Sequence, residues 1–210
     1  MINTQRVQQS GAIFNPAKDF FIAQDRRPIG LGDVDLTDLS PLLRALLVID
    51  GTVTTFLEAY AMESIEIGRI SQECHSLAED HGWLNARTGT PIVHRRVMLV
   101  GRQTKQMYAY AESLIVRGRL SSSIQQGLEQ EPGGLGRILV DCKLESRREG
   151  LWYGREQLAD LLESVHKTCN GDFLTRTYRL IVGGVPLMMI TERFPIPDGT
   201  NSVEPVAMIG

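Results

Sequence analysis

The stretch from Val182 to Pro195, VGGVPLMMITERFP, has the pattern of a β-hairpin. Two glycines separate two β-rich runs, and the second run is apolar until Glu192. Alternate residues of a strand share a face, so Glu192 lies on the face of Met188, Ile190 and Phe194. A carboxylate among such neighbours loses solvation, and its pKa rises unless it finds a partner. The alternative is a strand end at which Glu192 leans into water, because charged residues are mostly exposed.

The bulk composition predicts one soluble globular domain. The chain has 210 residues, of which 42% are hydrophobic and 22% are charged, with a formal net charge of -3. That charge favours neither nucleic acid nor an anionic membrane as a partner. The N-terminus lacks the pattern of a signal peptide, and no apolar run approaches the roughly 18 residues that span a bilayer. We therefore expect a cytoplasmic protein; the sequence carries no signal for its oligomeric state.

The cysteines and histidines do not form a metal-binding pattern. The chain has three cysteines, widely spaced and without a CxxC pair, and its four histidines are scattered. Such a set argues against a disulfide framework and against a structural zinc site. We expect no metal.

Two helices are predicted to meet at a corner after an irregular N-terminal arm, residues 1–38. Ser40 is a suitable N-cap, followed by Pro41 in the first turn, and the helix stops at Asp50-Gly51. Thr52 or Thr54 can cap the second helix. The free N–H groups at this corner favour anions, although a plain helix–helix corner explains the pattern as well.

The rest of the chain reads as strands joined mostly by short turns, with a loose tail over 196–210. Helices are predicted at 121–130 and 155–166. Strands are predicted from residue 64 and at 92–100, 106–116, 142–153, 173–182 and 187–194. This order predicts an α+β fold with a single antiparallel β-sheet of about six strands and helices packed on it.

The strand at 92–100 carries two adjacent arginines between largely apolar faces. At least one of Arg95 and Arg96 must point at a covered face unless the pair lies at a strand end and one side chain snorkels outwards. A guanidinium on an apolar face needs an anionic partner because it does not deprotonate. The alternation favours Arg95 as the inward residue, with Arg96 as the alternative.

Small side chains and a glycine-rich loop indicate where a ligand could be held. One face of the strand at 106–116 carries Ala109, Ala111 and Ser113, which leave volume for a helix or a ligand. The loop at 133–137 surrounds Leu135 with glycines and can bring its backbone close to another group. It matches no nucleotide-binding motif. Arginines on strands together with one carboxylate suit a small anionic substrate.

Five segments, in order, resemble the chorismate pyruvate-lyases, and specifically the branch with DG-x-VT and E-x-FP motifs. They are LLRALLVIDGTVTTFLEAY (42–60), HRRVMLVG (94–101), YAESLI (110–115), GGLGRIL (133–139) and GGVPLMMITERFP (183–195). The resemblance implies a single antiparallel sheet with helices packed on it. It also implies cleavage of chorismate to 4-hydroxybenzoate and pyruvate without a cofactor.

The resemblance also implies site residues. Arg95 and Glu192 match the family's buried arginine and its glutamate at the product. Val53, where the family has methionine, and Leu135 match residues that close over the ligand, with Thr52 and Gly134 beside them. Two alternatives remain: a non-catalytic binding domain for aromatic acids with the same fold, and a lyase-fold enzyme acting on another shikimate-derived acid.

Overall fold

A computed structural model describes residues 14–130, 145–158 and 171–197. Three α-helices lie in these ranges: α1 (Pro41–Val48), α2 (Val53–Ala61) and α3 (Ser122–Gln130). Ser40 caps α1 as predicted, since its hydroxyl accepts from the backbone N–H of Leu43 at 3.3 Å. Thr52 occupies the N-cap position of α2, and its side chain makes no capping hydrogen bond within the described chain.

Six antiparallel strands form one sheet in the order β1-β2-β3-β6-β5-β4, which confirms the predicted fold class. Short turns join β2 to β3 and β5 to β6, so these two pairs are antiparallel. The strands are β1 (Ile65–Ser76), β2 (Pro91–Gly101), β3 (Met107–Val116), β4 (Ser146–Gln157), β5 (Asp172–Val182) and β6 (Val185–Pro195).

The fourth strand corrects one helix boundary. Residues 155–157, predicted as the start of a helix, continue β4 instead. Arg155 exchanges backbone hydrogen bonds with Gly32 and forms an ion pair with Asp172, so tertiary contacts override the local helical pattern. The predicted helix beyond residue 158 falls on 159–170, outside the described residues. The predicted strand start at 142 also falls outside them, and β4 begins at Ser146.

The helices cover one face of the sheet in two groups. Helices α1 and α2 pack with the N-terminal arm over one end, around Leu47, Leu57 and Phe194. Helix α3 packs over the other end through Ile124 and Leu128. Between these two hydrophobic clusters the middle of the sheet face is left for polar side chains.

The N-terminal arm, in its described part, pairs with the edge strand β4. The backbone N–H of Ile22 donates to the carbonyl of Gly150 at 3.0 Å. A Cβ at Gly150 would lie 2.6 Å from the carbonyl oxygen of Phe20. The absence of a side chain at this position therefore permits the arm to pack.

We expect Gly150→Ala to lower the free energy of unfolding by about 1–3 kcal/mol, the usual cost of overpacking. Urea denaturation followed by circular dichroism measures this change. Gly118→Ala is the matched control, because a Cβ there meets nothing within 4 Å. Equal stability of the two variants would contradict close docking of the arm.

The carboxylate of Glu63, two residues beyond the end of α2, holds the turn between β2 and β3. It accepts from the Thr104 hydroxyl at 2.6 Å and from the backbone N–H groups of Gln103 and Thr104 at 2.7 and 3.1 Å. These hydrogen bonds hold the pKa of Glu63 below its usual value. The bond from the Thr104 hydroxyl has the largest effect.

A lowered pKa makes this contribution to stability dependent on pH. It is fully present above the usual glutamate pKa of about 4.3 and is lost as the pH falls through the lower pKa of the folded state. We expect Glu63→Gln to have a lower melting temperature than the unmodified protein at pH 7. At pH 3 the two melting temperatures should differ much less. Melting curves at both pH values measure this, and an equal difference at both would contradict it.

Candidate active site

A cavity lies between the helix corner and the middle of the sheet, in the gap between the two hydrophobic clusters. The empty space in and around it amounts to about 540 Å³, which includes open solvent at its mouth. The corner contributes Gly51, Thr52, Val53 and Thr54. The sheet contributes Ile67, Arg95, Val97, Leu99, Ala111, Ser113, Arg148, Tyr178, Ile190 and Glu192.

Arg95 enters this cavity from β2. It is 3% exposed, and burial lowers its pKa, with a smaller contribution from the positive charge of Arg69. An arginine stays protonated despite such a shift, so Arg95 brings a positive charge into the cavity wall. Arg96 lies on the opposite face, where its Nε is 3.5 Å from Oε1 of Glu112. The cavity therefore holds Arg95 and not the alternative Arg96.

Glu192 enters from β6 and is 8% exposed, which is the inward orientation expected from the strand pattern. Its Oε2 accepts from Nε of Arg176 at 2.8 Å, and Nη2 of Arg176 lies at the same distance. Its Oε1 accepts from the hydroxyl of Tyr178 at 3.1 Å. Both carboxylate oxygens thus have a partner on β5, which fixes the orientation of the group.

The same Arg176 connects the sheet to the helix corner. Its Nη1 donates to the carbonyls of Leu47 and Ile49 at 3.1 and 3.0 Å. These carbonyls lie at the C-terminal end of α1, where backbone acceptors lack partners within the helix. Arg176 is 1% exposed and spans from Glu192 to α1, so it positions both the carboxylate and the corner that covers it.

The hydroxyl of Tyr178 is held as a hydrogen-bond donor. Burial raises the pKa of Tyr178 well above its usual value, and the negative charge of Glu192 raises it further. The phenol therefore stays protonated across the physiological pH range and continues to donate to Glu192.

Small side chains separate Arg95 from Glu192. Arg95 pairs with Ser113 of β3, and Ala111 of β3 pairs with Glu192 of β6. Both β3 residues line the cavity, so the predicted small-residue face provides the space here. With neighbouring strands about 4.8 Å apart, the backbones of β2 and β6 are separated by roughly 10 Å.

Of the other predicted site residues, Thr52 and Val53 line the cavity at the start of α2. Gly134 and Leu135 lie outside the described residues.

Comparison with known proteins shows the family of the chain. The family model described as "Chorismate pyruvate-lyase Rv2949c-like" matches residues 47–198. The chain belongs to this family. A chorismate pyruvate-lyase of Mycobacterium leprae is 32% identical over 158 residues, covering 72% of this chain and 73% of that protein. One from Mycobacterium tuberculosis (strain ATCC 25618 / H37Rv) is 27% identical over 169 residues, covering 78% of this chain and 84% of that protein.

The fold of this family member also occurs in a regulator domain. The effector domain of PhnF from Mycobacterium smegmatis matches with a TM-score of 0.54 at 9% identity, covering 69% of this chain and 88% of that one. At such low identity the match concerns the fold alone.

Three residues of the site were missed from sequence: Arg148 and Tyr178, which line the cavity, and Arg176, which pairs with Glu192. A signal existed for two of them. Arg176 and Tyr178 alternate on β5 with the buried Leu174 and Leu180, the same pattern that identified Glu192 on β6. For Arg148, among other charged residues at the start of β4, the sequence shows no comparable pattern.

Residues 14–130, 145–158 and 171–197 contain no cluster of three or more His, Cys, Asp or Glu side chains that could hold a metal ion. In the same ranges, no helix is long and apolar enough to cross a membrane. The expectation that no metal is needed remains a prediction.

Proposed function

We propose that this protein is a chorismate pyruvate-lyase that releases pyruvate and 4-hydroxybenzoate from chorismate without a cofactor. The observation that carries the proposal is that the buried side chains of Arg95 and Glu192 line one cavity, separated by Ala111 and Ser113. The names of the relatives support the same reaction. A lyase of this kind needs a cation for a carboxylate and a polar group for the ring hydroxyl.

The substrate fits between these two groups by its chemistry. The ring carboxylate and the ring hydroxyl of chorismate lie at opposite ends of the ring. In our proposal Arg95 binds the ring carboxylate through its planar guanidinium. Glu192 then accepts a hydrogen bond from the ring hydroxyl, because an ionised carboxylate can accept more bonds than the two it receives from Arg176 and Tyr178.

The reaction breaks the ether C–O bond and removes the hydrogen from the ring carbon that bears the hydroxyl. The ring becomes aromatic, and the enolpyruvyl group gains a hydrogen to become pyruvate. The chain's contribution is to hold the substrate in a reactive pose and to stabilise the charge that develops at the ether oxygen. Positive charge in a buried cavity serves this purpose better than in water, since the local dielectric constant is lower.

Thr52 and Val53 cover the substrate from the helix corner in this proposal. The family resemblance assigns Gly134 and Leu135 to the segment that closes over it. A closed and dry site would slow release of 4-hydroxybenzoate, so product release is the step expected to limit turnover.

The decisive test is incubation of the purified protein with chorismate. We expect equimolar pyruvate and 4-hydroxybenzoate, measured by coupled lactate dehydrogenase and by chromatography with mass and NMR identification. No pyruvate release at high enzyme concentration would sink the proposal. Stabilisation by 4-hydroxybenzoate without turnover would indicate a binding domain, and a different aromatic product would indicate another reaction on this fold.

A further inference from the structure

Arg148 is a second cation in the wall of the cavity, contributed by β4. Its side chain is 17% exposed and lines the cavity together with Tyr178 and Glu192. Its positive charge acts to lower the pKa of Tyr178, against the larger effect of burial. Arg148 therefore lies close to the Tyr178–Glu192 end of the cavity.

The contacts of Arg148 within the described chain do not account for its charge. Its Nε is buried and has no hydrogen-bond partner among the described residues. Its Nη1 is 3.8 Å from Oδ1 of Asp50. The side chain of Asp50 is 66% exposed, so water solvates its carboxylate. A buried guanidinium is costly unless an anion and further hydrogen bonds satisfy it. By contrast, Arg176 in the same region has both a carboxylate and two carbonyls.

We propose that Arg148 binds the second carboxylate of a dicarboxylate substrate, the one on the enolpyruvyl side chain. The inference rests on the proposed function, which places the ring carboxylate at Arg95. Chorismate has two carboxylates, and the described part of the cavity wall has two arginines on different strands, Arg95 on β2 and Arg148 on β4. Glu192 is paired with Arg176, and the ion-pair partner of Arg148 among the described residues is the exposed Asp50, so the charge of Arg148 can match the second carboxylate of a dianion. Binding at both ends also fixes the side chain relative to the ring, as the elimination requires.

The test compares Arg148→Ala with two controls. Asp50→Ala removes the only ion-pair partner of Arg148 in the described chain, and Arg147→Ala removes the exposed neighbour that pairs with Glu149 at 2.9 Å. Steady-state rates with chorismate are measured alongside calorimetric titrations with chorismate and with 4-hydroxybenzoate, which has one carboxylate.

We expect Arg148→Ala to raise KM and Kd for chorismate by about 10- to 100-fold, the usual effect of losing charge-assisted hydrogen bonds. Binding of 4-hydroxybenzoate should stay within about threefold of the unmodified protein, inside the range of non-specific effects. Arg148→Lys should recover part of the chorismate affinity, because it keeps the charge without the bidentate fork. Both controls should bind chorismate as the unmodified protein does.

Three outcomes would overturn the inference: an unchanged chorismate affinity in Arg148→Ala, an equal loss of 4-hydroxybenzoate affinity, or the same loss in Asp50→Ala. The last would mean that Arg148 only holds the helix corner. If chorismate binding depends on Arg148 but no pyruvate is released, the lyase proposal is refuted and the carboxylate site at Arg148 is retained. Pyruvate release with an unchanged KM in Arg148→Ala would support the lyase proposal and refute the carboxylate site at Arg148. Absence of any chorismate binding would refute both proposals.

Discussion

Replacement of Arg95 by alanine is expected to lower kcat/KM for chorismate by about 100- to 1,000-fold, as the loss of a buried charge partner commonly does. The side chain is 3% exposed, so a carboxylate bound to it is largely withdrawn from water. Without the guanidinium, that carboxylate loses its hydration and gains no compensating charge. Pyruvate release under steady-state conditions measures the effect.

A matched control is available on the adjacent residue. Arg96 lies on the opposite face of β2, half-exposed beside Glu112, and Arg96→Ala should keep nearly full activity. Far-ultraviolet circular dichroism should give the same spectrum for both variants, since neither residue belongs to a turn or cap. If Arg95→Ala turns over chorismate like the unmodified protein, the assignment of the carboxylate clamp is wrong.

Replacement of Arg176 by alanine is expected to destabilise the protein by about 3–5 kcal/mol, the cost of breaking a buried ion pair by removing one partner. Among the described residues, the change leaves the buried Glu192 with Tyr178 as its donor, and the carbonyls of Leu47 and Ile49 lose the donor that Arg176 supplies. For a chain of this size that corresponds to a fall of roughly 6–20 °C in melting temperature. Thermal and urea denaturation measure it.

A double variant separates the ion pair from other contributions. Arg176→Met combined with Glu192→Met removes both charges, and it should recover a large part of the lost stability because no uncompensated charge remains. It should not recover activity, since Glu192 is part of the proposed site. Arg147→Ala, at an exposed position, should cost little. A loss of less than about 1 kcal/mol in Arg176→Ala, within the range of a surface ion pair, would contradict the structural role of the pair.

Some of the fold could be predicted because the evidence lies within single strands and helices. The face of β2 carrying Val93, Arg95, Val97 and Leu99 is buried as its alternation predicts. Ser40 caps its helix because capping depends on neighbouring residues alone. The end of β4 could not be predicted in this way, since Arg155 is held in the strand by Gly32 and Asp172, which are distant in sequence.

The ion pair between Arg176 and Glu192 depends on a β-bulge that the alternation of side chains along the strands does not reveal. At the Gly-Gly turn, Val182 pairs with Val185, and a bulge follows between Leu180 and Ile181. Because of that one extra residue, Glu192 faces Arg176; a regular hairpin would place it opposite Thr175. A shift of one residue moves a side chain to the other face, so the bulge decides whether the charges meet.

The sequence by itself determined the fold class, the family and the inward faces of β2 and β6, because these follow from local periodicity and from motifs in order. Only the tertiary structure decided the partners of those faces: Arg176 and Tyr178 around Glu192, and Arg148 in the wall beside them. The physical reason is that these contacts join different strands, and their register depends on bulges and on strand order rather than on any local pattern.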